Sequence, residues 1–337
     1  MLEGITGARA IMDDILIAGK TRQQHDAILE KVIRKATEWN LKLNFKKCQL
    51  RQSSVKYVGH IISDKGVHPD DEKIKAVKEM PDPQSKEDVR RFLGFIQYLA
   101  KFIPNLSEID APLREILKKK TEFFWEKSQQ ESFEALKEAC CKAPVLSLYD
   151  VKKEVTIQCD ASSYALEGVL LQEGKPIAYT SRALNETEAR YAQIEKEMLA
   201  IVHCCKKFHH YIFGKPVTVE SDHKPLQAIY SKPIFAAPMR LQNMMLRLQA
   251  YDLTVVYKPG KEIPVGDALS RANLQCTEPD IKPLSINMTQ FLHVTVSPSK
   301  YAEFQKKTAD KLNELYSMII KSWPDTKLET PHSIREY

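Results

Sequence analysis

The stretch that decides the fold runs from Val155 to Arg271. Four short runs in it carry acids: T-I-Q-C-D-A-S (156–162), I-E-K-E-M-L-A-I (194–201), V-T-V-E-S-D-H (217–223) and V-G-D-A-L-S-R (265–271). Asp160 closes a segment begun by Val155-Thr156-Ile157, and Asp222 closes one begun by Val217-Thr218-Val219. A carboxylate beside such apolar, strand-like runs is costly unless something cationic receives it. Glu197 is the most telling of the four. Residues 185–211 read as one helix, opened by a capping-box pair of Asn185 and Glu188. Its apolar stripe is Ile194, Met198, Ile201, Val202, Cys205 and Phe208, and Glu197 lies three residues after Ile194 and four before Ile201. That spacing puts an acid on the face meant to pack against a sheet.

Acids drawn from separate elements of one α/β unit are what a pair of divalent cations needs. Hard cations such as Mg²⁺ take oxygen ligands, and two of them roughly 4 Å apart can clamp the attacking and leaving oxygens of a phosphodiester. Any one of these acids reads equally well as a helix cap or a surface charge. All four, in this order, favour the metal reading.

The runs D-A-S-S (160–163), V-L-L-Q-E-G (169–174), A-Y-T-S-R-A-L (178–184), Y-A-Q-I-E-K-E (191–197), S-D-H-K-P-L (221–226) and G-D-A-L-S-R (266–271) resemble the RNase H domain of gypsy-type long-terminal-repeat retrotransposon Pol polyproteins. The resemblance implies an RNase H-like mixed sheet flanked by helices, and it places Asp160, Glu197, Asp222 and Asp267 on the family's metal-binding acids. It implies two Mg²⁺ ions, with Mn²⁺ able to substitute, and hydrolysis of the RNA strand of RNA–DNA hybrids. One ion would be bridged by Asp160 and Asp222, the other held by Asp160 and Glu197 with Asp267. The sequence departs from the family at Ala165-Leu166-Glu167-Gly168, where a Gly-rich stretch is usual, and at Ile263-Pro264-Val265-Gly266.

Upstream, A-R-A-I-M-D-D-I-L-I-A (8–18) places Asp13 and Asp14 at the turn of an expected hairpin. A helix is expected over 21–39, with Ile28, Leu29, Val32, Ala36 and Trp39 on one face, and a strand pair around K-Y-V-G-H-I-I-S (56–63). This region resembles the C-terminal part of the same family's reverse transcriptase palm. Met12-Asp13-Asp14 then match its catalytic hairpin, with Ile11 where an aromatic is usual, and residues 56–63 match the hairpin that grips the primer end. A polymerase site of this kind needs a further aspartate, and no Asp precedes Asp13. Asp13 and Asp14 are therefore expected to be orphans, a polymerase remnant inactive by itself.

From 67 to 143 the pattern is helical. Ser85 with Asp88, Ser107 with Asp110, and Ser128 with Glu131 have capping spacing. Val89, Phe92, Leu93, Ile96 and Leu99 form the stripe of the first helix, which Pro104 should stop. The run F-L-G-F-I-Q-Y-L-A-K-F-I-P-N-L (92–106) resembles the polymerase thumb. Arg90, Arg91 and Lys101 could track a nucleic-acid backbone, and solvated helix faces account for them equally well. Farther on, Met239, Met244 and Met245 read as core, and Arg240 and Arg247 as phosphate contacts.

The expected domains are a partial palm (1–66), thumb and connecting helices (67–143), an RNase H-like domain (144–272), and a linker with an amphipathic helix leading toward an absent integrase (273–337). That last helix, from Ser299 to Trp323, is expected to dock on this chain or on another Pol- or Gag-derived chain. With 337 residues, two or three cores can form; the net charge of +6 suits a polyanion partner only mildly. Seven cysteines without a C-x-x-C pair read as reduced buried thiols, and the Cys205–His209 spacing reads as packing. No run is long enough to span a bilayer and nothing suggests a small-molecule cofactor. An intracellular setting is expected, cytoplasmic or in virus-like particles, with the nucleus as a further site. A second reading, of another class, is a degenerate or repurposed fragment that binds nucleic acid or protein without catalysis.

Overall fold

The computed structural model describes residues 1–118, 121–231 and 233–260, with positions 302 and 306 besides. These residues form two compact units: Met1–Asp150 with Gly174–Ala183, and Val151–Glu173 with the described residues from Leu184 onward.

The first unit opens with an antiparallel hairpin, β1 (Ala8–Ile11) and β2 (Asp14–Ile17), in which Ile11 faces Asp14 across the turn. Met12 occupies a left-handed conformation at φ 54° and is almost fully exposed. Helix α1 (Arg22–Glu38) is capped by Thr21, whose side chain accepts from the Gln24 N–H, and it buries Ile28, Val32 and Ala36. Trp39 terminates α1 in the open rather than joining that face, at 67% exposure. A three-stranded antiparallel sheet follows: β3 (Ser54–Tyr57), β4 (His60–Ser63) and β5 (Gly66–Pro69). Its first turn is Val58-Gly59, with φ at 48° and 73°, and Tyr98 donates its hydroxyl to the Val58 carbonyl. A two-residue loop with both φ positive matches the right-handed twist of the strands it joins, and a β-branched residue there is held against its own preference.

The helical part has α2 (Asp71–Lys78), α3 (Lys86–Leu99), α4 (Leu106–Ile109), α5 (Ala111–Ile116) and α6 (Lys127–Cys141). Ser85 caps α3 by accepting from the Asp88 N–H, and Val89, Phe92, Leu93, Ile96 and Leu99 are all buried. This helix tightens into a 3₁₀ turn at Ala100–Phe102 and is over before Pro104. The other two expected caps are displaced. Ser107 lies inside α4, its N–H donating to the Ser181 hydroxyl, and Asp110 instead precedes α5, where it pairs with Arg114. Helix α6 starts two residues earlier than the Ser128–Glu131 spacing suggests, because Gln129 reaches back to the Glu126 N–H. The core here joins Phe92, Phe102, Phe133, Leu113, Leu136 and Leu146. Arg90 and Arg91 pair with Glu87 and Asp88 on their own helix, and Lys101 is half-buried beside the Phe102 ring.

The second region of sheet contains β6 (Val155–Ala161), β7 (Ala165–Gln172), β8 (Lys175–Ala183), β9 (Pro216–Ser221) and β10 (Asp252–Tyr257), in the order β10-β9-β6-β7-β8. β6 runs antiparallel to β7 but parallel to β9, and β9 is parallel to β10. The fold is therefore a mixed α/β sheet flanked by helices, as the motif order implies. Its helices are α7 (Glu186–Ala189), α8 (Gln193–Lys207), α9 (His209–Ile212), α10 (Lys224–Tyr230) and α11 (Met239–Leu248). The single helix expected over 185–211 is thus three. The capping box of Asn185 and Glu188 is present but opens only α7, and the chain breaks at Arg190–Ala192 before α8. Met244 and Met245 are buried, whereas Met239 is 70% exposed at the first position of α11.

Among the described cysteines none is disulfide-bonded; Cys48 and Cys141 are exposed, the others buried. Cys205 is core, and His209 Nδ1 meets the Tyr251 hydroxyl at 3.0 Å. Among the described residues no helix is long and apolar enough to cross a membrane. Asp267, the 263–266 stretch and, apart from positions 302 and 306, the expected tail helix lie outside the described residues.

Candidate metal centre

Strand register brings the first two acids together. β6 and β9 are parallel neighbours with Gln158 opposite Glu220, so two residues farther on Asp160 and Asp222 reach the same end of the sheet in the same register. Parallel neighbours lie ~4.8 Å apart, within reach of two short side chains. Helix α8 packs on β6 and β7 and supplies Glu197 from its second turn. Among the described residues, Asp160, Glu197 and Asp222 are the one acidic group whose ligand atoms all lie within 4.8 Å of one another.

Their environments differ. Asp160 is half-buried, Asp222 exposed, and Glu197 only 3% exposed. Asp160 Oδ1 accepts from the Ala161 N–H at 2.8 Å, which fixes its direction. Glu197 Oε1 accepts from Gln193 Nε2 at 2.6 Å, while Glu197 Oε2 is buried without a hydrogen-bond partner. Burial foremost, then the charge of Asp160, push the Glu197 carboxyl up to about 8; Asp222 adds to this, while the Gln193 amide and the Ala161 N–H oppose it. A buried carboxylate oxygen left without a donor is expensive. A divalent cation would meet that need, and three convergent carboxylates are the kind of hard-oxygen donor set that Mg²⁺ or Mn²⁺ takes.

Neighbouring residues that the motifs do not reveal complete the arrangement. Gln193 Nε2 also donates to the Ala161 carbonyl at 2.7 Å, tying the start of α8 to the residue after Asp160. Two residues before the acids' level, Gln158 donates to Glu220 at 2.7 Å, and Lys258 reaches both Glu220 oxygens at 3.2 Å. Gly260 lies against Asp222: a Cβ there would stand 3.3 Å from Asp222 Oδ2. Gly260→Ala should therefore shift Asp222 by a few tenths of an ångström. It should lower any activity of the site several-fold while leaving the melting temperature nearly unchanged, since catalytic geometry is more sensitive than packing to small displacements. Parallel rate measurements and thermal melts check this.

Asp13 and Asp14 stand at the β1–β2 turn of the other unit, both exposed, and belong to no such acidic group among the described residues.

The profile of the RNase H-like domain found in reverse transcriptase matches residues 125–219, and that of reverse transcriptase (RNA-dependent DNA polymerase) matches residues 10–62. The Retrovirus-related Pol polyprotein from transposon 297 of Drosophila melanogaster is 36% identical over 298 residues, covering 87% of this chain and 28% of the relative. The Transposon Tf2-3 polyprotein of Schizosaccharomyces pombe is 34% identical over 294 residues, covering 84% of this chain and 22% of the relative. Over most of its length the chain is thus similar to transposon Pol polyproteins. It spans about a quarter of the length of these Pol polyproteins. The foamy viral protease-reverse transcriptase solved in complex with RNA/DNA hybrid superposes with a TM-score of 0.70 at 24% identity, over 84% of this chain and 39% of that one. At that identity the likeness establishes the fold: reverse transcriptase with an RNase H-like part. Matches to both domain families therefore lie in this one chain, the reverse transcriptase match preceding the RNase H-like one.

Proposed function

We propose that the Val155–Arg271 region is a divalent-metal-dependent ribonuclease H that hydrolyses the RNA strand of RNA–DNA hybrids, leaving 3′-hydroxyl and 5′-phosphate ends. The observation that carries this reading is the convergence of Asp160, Glu197 and Asp222, with one Glu197 oxygen buried and unsatisfied. Asp160 and Asp222 would hold one ion between them, and Asp160 with Glu197 a second, with Asp267 as a further ligand. When bound, two such ions supply an activated water and neutralise charge on the leaving oxygen. The chain's own part is positional. The Ala161 N–H orients Asp160, and Gln193 orients Glu197 toward it. Three acids crowded without cations repel one another, so the site favours the bound state and discriminates against monovalent ions. Recognition of the hybrid would rest on backbone shape and 2′-hydroxyls rather than on base sequence. The hybrid in the foamy viral complex supports that choice of partner. In the same reading, Asp13 and Asp14 belong to a polymerase centre that needs one more aspartate, and residues 1–66, 67–143 and 144–272 are palm, thumb and RNase H parts.

A single-turnover assay tests the proposal with one labelled RNA, presented single-stranded, as RNA duplex and as RNA–DNA hybrid. Mg²⁺-dependent cleavage of the hybrid alone is expected, suppressed by EDTA. A folded protein that leaves the hybrid intact in both Mg²⁺ and Mn²⁺ would favour the non-catalytic binding reading.

A further inference from the structure

Arg240 lies on α11, outside the acidic cluster, yet its contacts lead back to Glu197. Arg240 Nη1 meets Glu195 Oε2 at 2.6 Å, and its guanidinium stacks on the Tyr191 ring, 4.1 Å from the centroid. The same Glu195 oxygen accepts from the Ala192 N–H at 3.1 Å. Tyr191 and Ala192 lie in the Arg190–Ala192 break and Glu195 in the first turn after it, where an otherwise continuous apolar periodicity is interrupted and α8 begins. The break matters because Gln193 is the first residue of α8 and Glu197 lies one turn beyond it. Were α7 to run on into α8, the first turn would rotate, and Gln193 could not hold both the Ala161 carbonyl and Glu197.

We propose that Arg240 is a positioning residue for the metal-binding acids. By clamping Glu195 and Tyr191 it fixes where α8 starts, and so holds Glu197 in register with Asp160. The pair has the qualities such a role needs. Glu195 is largely buried and Arg240 half-exposed, with side-chain exposures of 15% and 49%. The contact is a charge-assisted hydrogen bond with the guanidinium plane stacked, and lysine reproduces that combination poorly. The alternative role for Arg240, a direct phosphate contact, makes different predictions. A phosphate contact weakens hybrid binding and flattens its salt dependence when removed. A clamp acts through Glu195, and its loss leaves binding alone.

The proposal rests on the ribonuclease H reading, so its test pairs a readout that needs catalysis with one that does not. The variants are Arg240→Ala, Glu195→Ala, Glu195→Gln and the double Arg240→Ala/Glu195→Ala, all in the full chain. Amide hydrogen exchange without metal is measured at Ala192 to Lys196, alongside kcat and KM on the hybrid. Arg240→Ala should speed exchange at those amides and lower kcat ~10-fold with KM little changed, a misplacement effect rather than a binding one. Glu195→Gln, which keeps an acceptor but loses the charge, should fall between wild type and Glu195→Ala. In the Glu195→Ala background, Arg240→Ala should add much less than it does in wild type, only the Tyr191 stack remaining to be lost, the signature of coupled residues. Unchanged amide protection in Arg240→Ala, a loss confined to KM, or additive losses in the double variant would each overturn the clamp. If even wild type cleaves no hybrid, the ribonuclease reading fails while the exchange data still decide whether Arg240 sets the start of α8.

Discussion

Asp160→Asn should reduce Mg²⁺-dependent hybrid cleavage by at least ~10³-fold while leaving the protein folded, because the proposed site shares this one carboxylate between two cations. The fold should survive for a local reason. Asp160 Oδ1 accepts from the Ala161 N–H, and the Asn oxygen can take the same bond. Removing one of three crowded acids also relieves repulsion in the metal-free protein. The expected pattern is therefore an unchanged circular dichroism spectrum, an equal or higher melting temperature in EDTA, and no measurable turnover. Cleavage near the wild-type rate by the folded variant would remove Asp160 from the site.

Glu197 gives the second large effect, and its sign depends on pH. In the folded, metal-free protein its carboxyl is pushed up to about 8, by burial first and by Asp160 next. In the unfolded chain it titrates near ~4.3. Between those values the folded state holds a proton that the unfolded state has released, so stability falls as pH rises through that window and levels off above it. The full effect corresponds to on the order of 3–5 kcal/mol at pH above 8. Glu197→Gln carries no titrating group. Its melting temperature in EDTA should be flatter from pH 5 to 8 and should exceed that of wild type at the alkaline end. Mg²⁺ should reverse the order by stabilising wild type, in proportion to occupancy, and not the variant. Thermal melts at several pH values, with and without Mg²⁺, check both halves. Parallel curves for the two proteins in EDTA would show that Glu197 is not the strained acid described here.

What the sequence made legible is what strand and helix periods dictate. Asp160 and Asp222 follow β-branched runs, and parallel pairing of those runs was enough to carry both acids to one sheet end. Glu197 was legible because an acid on an apolar helical stripe is costly to bury unless a cation receives it. The break at Arg190–Ala192 was not. Apolar periodicity runs through it, and the contacts made around it are tertiary: Arg240 from α11 on Glu195 and Tyr191, and the Ala161 carbonyl from β6 on Gln193. Caps failed in the same way. Ser128 and Glu131 have the spacing, but Gln129 reaching back to Glu126 set the start of α6 two residues earlier. Gly260 gave no signal either, since its role is the space it leaves beside Asp222, visible only once β10 lies next to β9.

The most direct measurement on the metal centre is Mn²⁺ anomalous scattering from crystals of the protein grown with a hybrid whose RNA carries a non-hydrolysable linkage at the scissile step. Anomalous peaks bonded to Asp160, Glu197 and Asp222 oxygens at ~2.1–2.2 Å are expected, as oxygen-ligated divalent ions of this size require. A well-ordered hybrid complex at millimolar Mn²⁺, with no peak among these three carboxylates or with the ions held elsewhere, would contradict the assignment of the site.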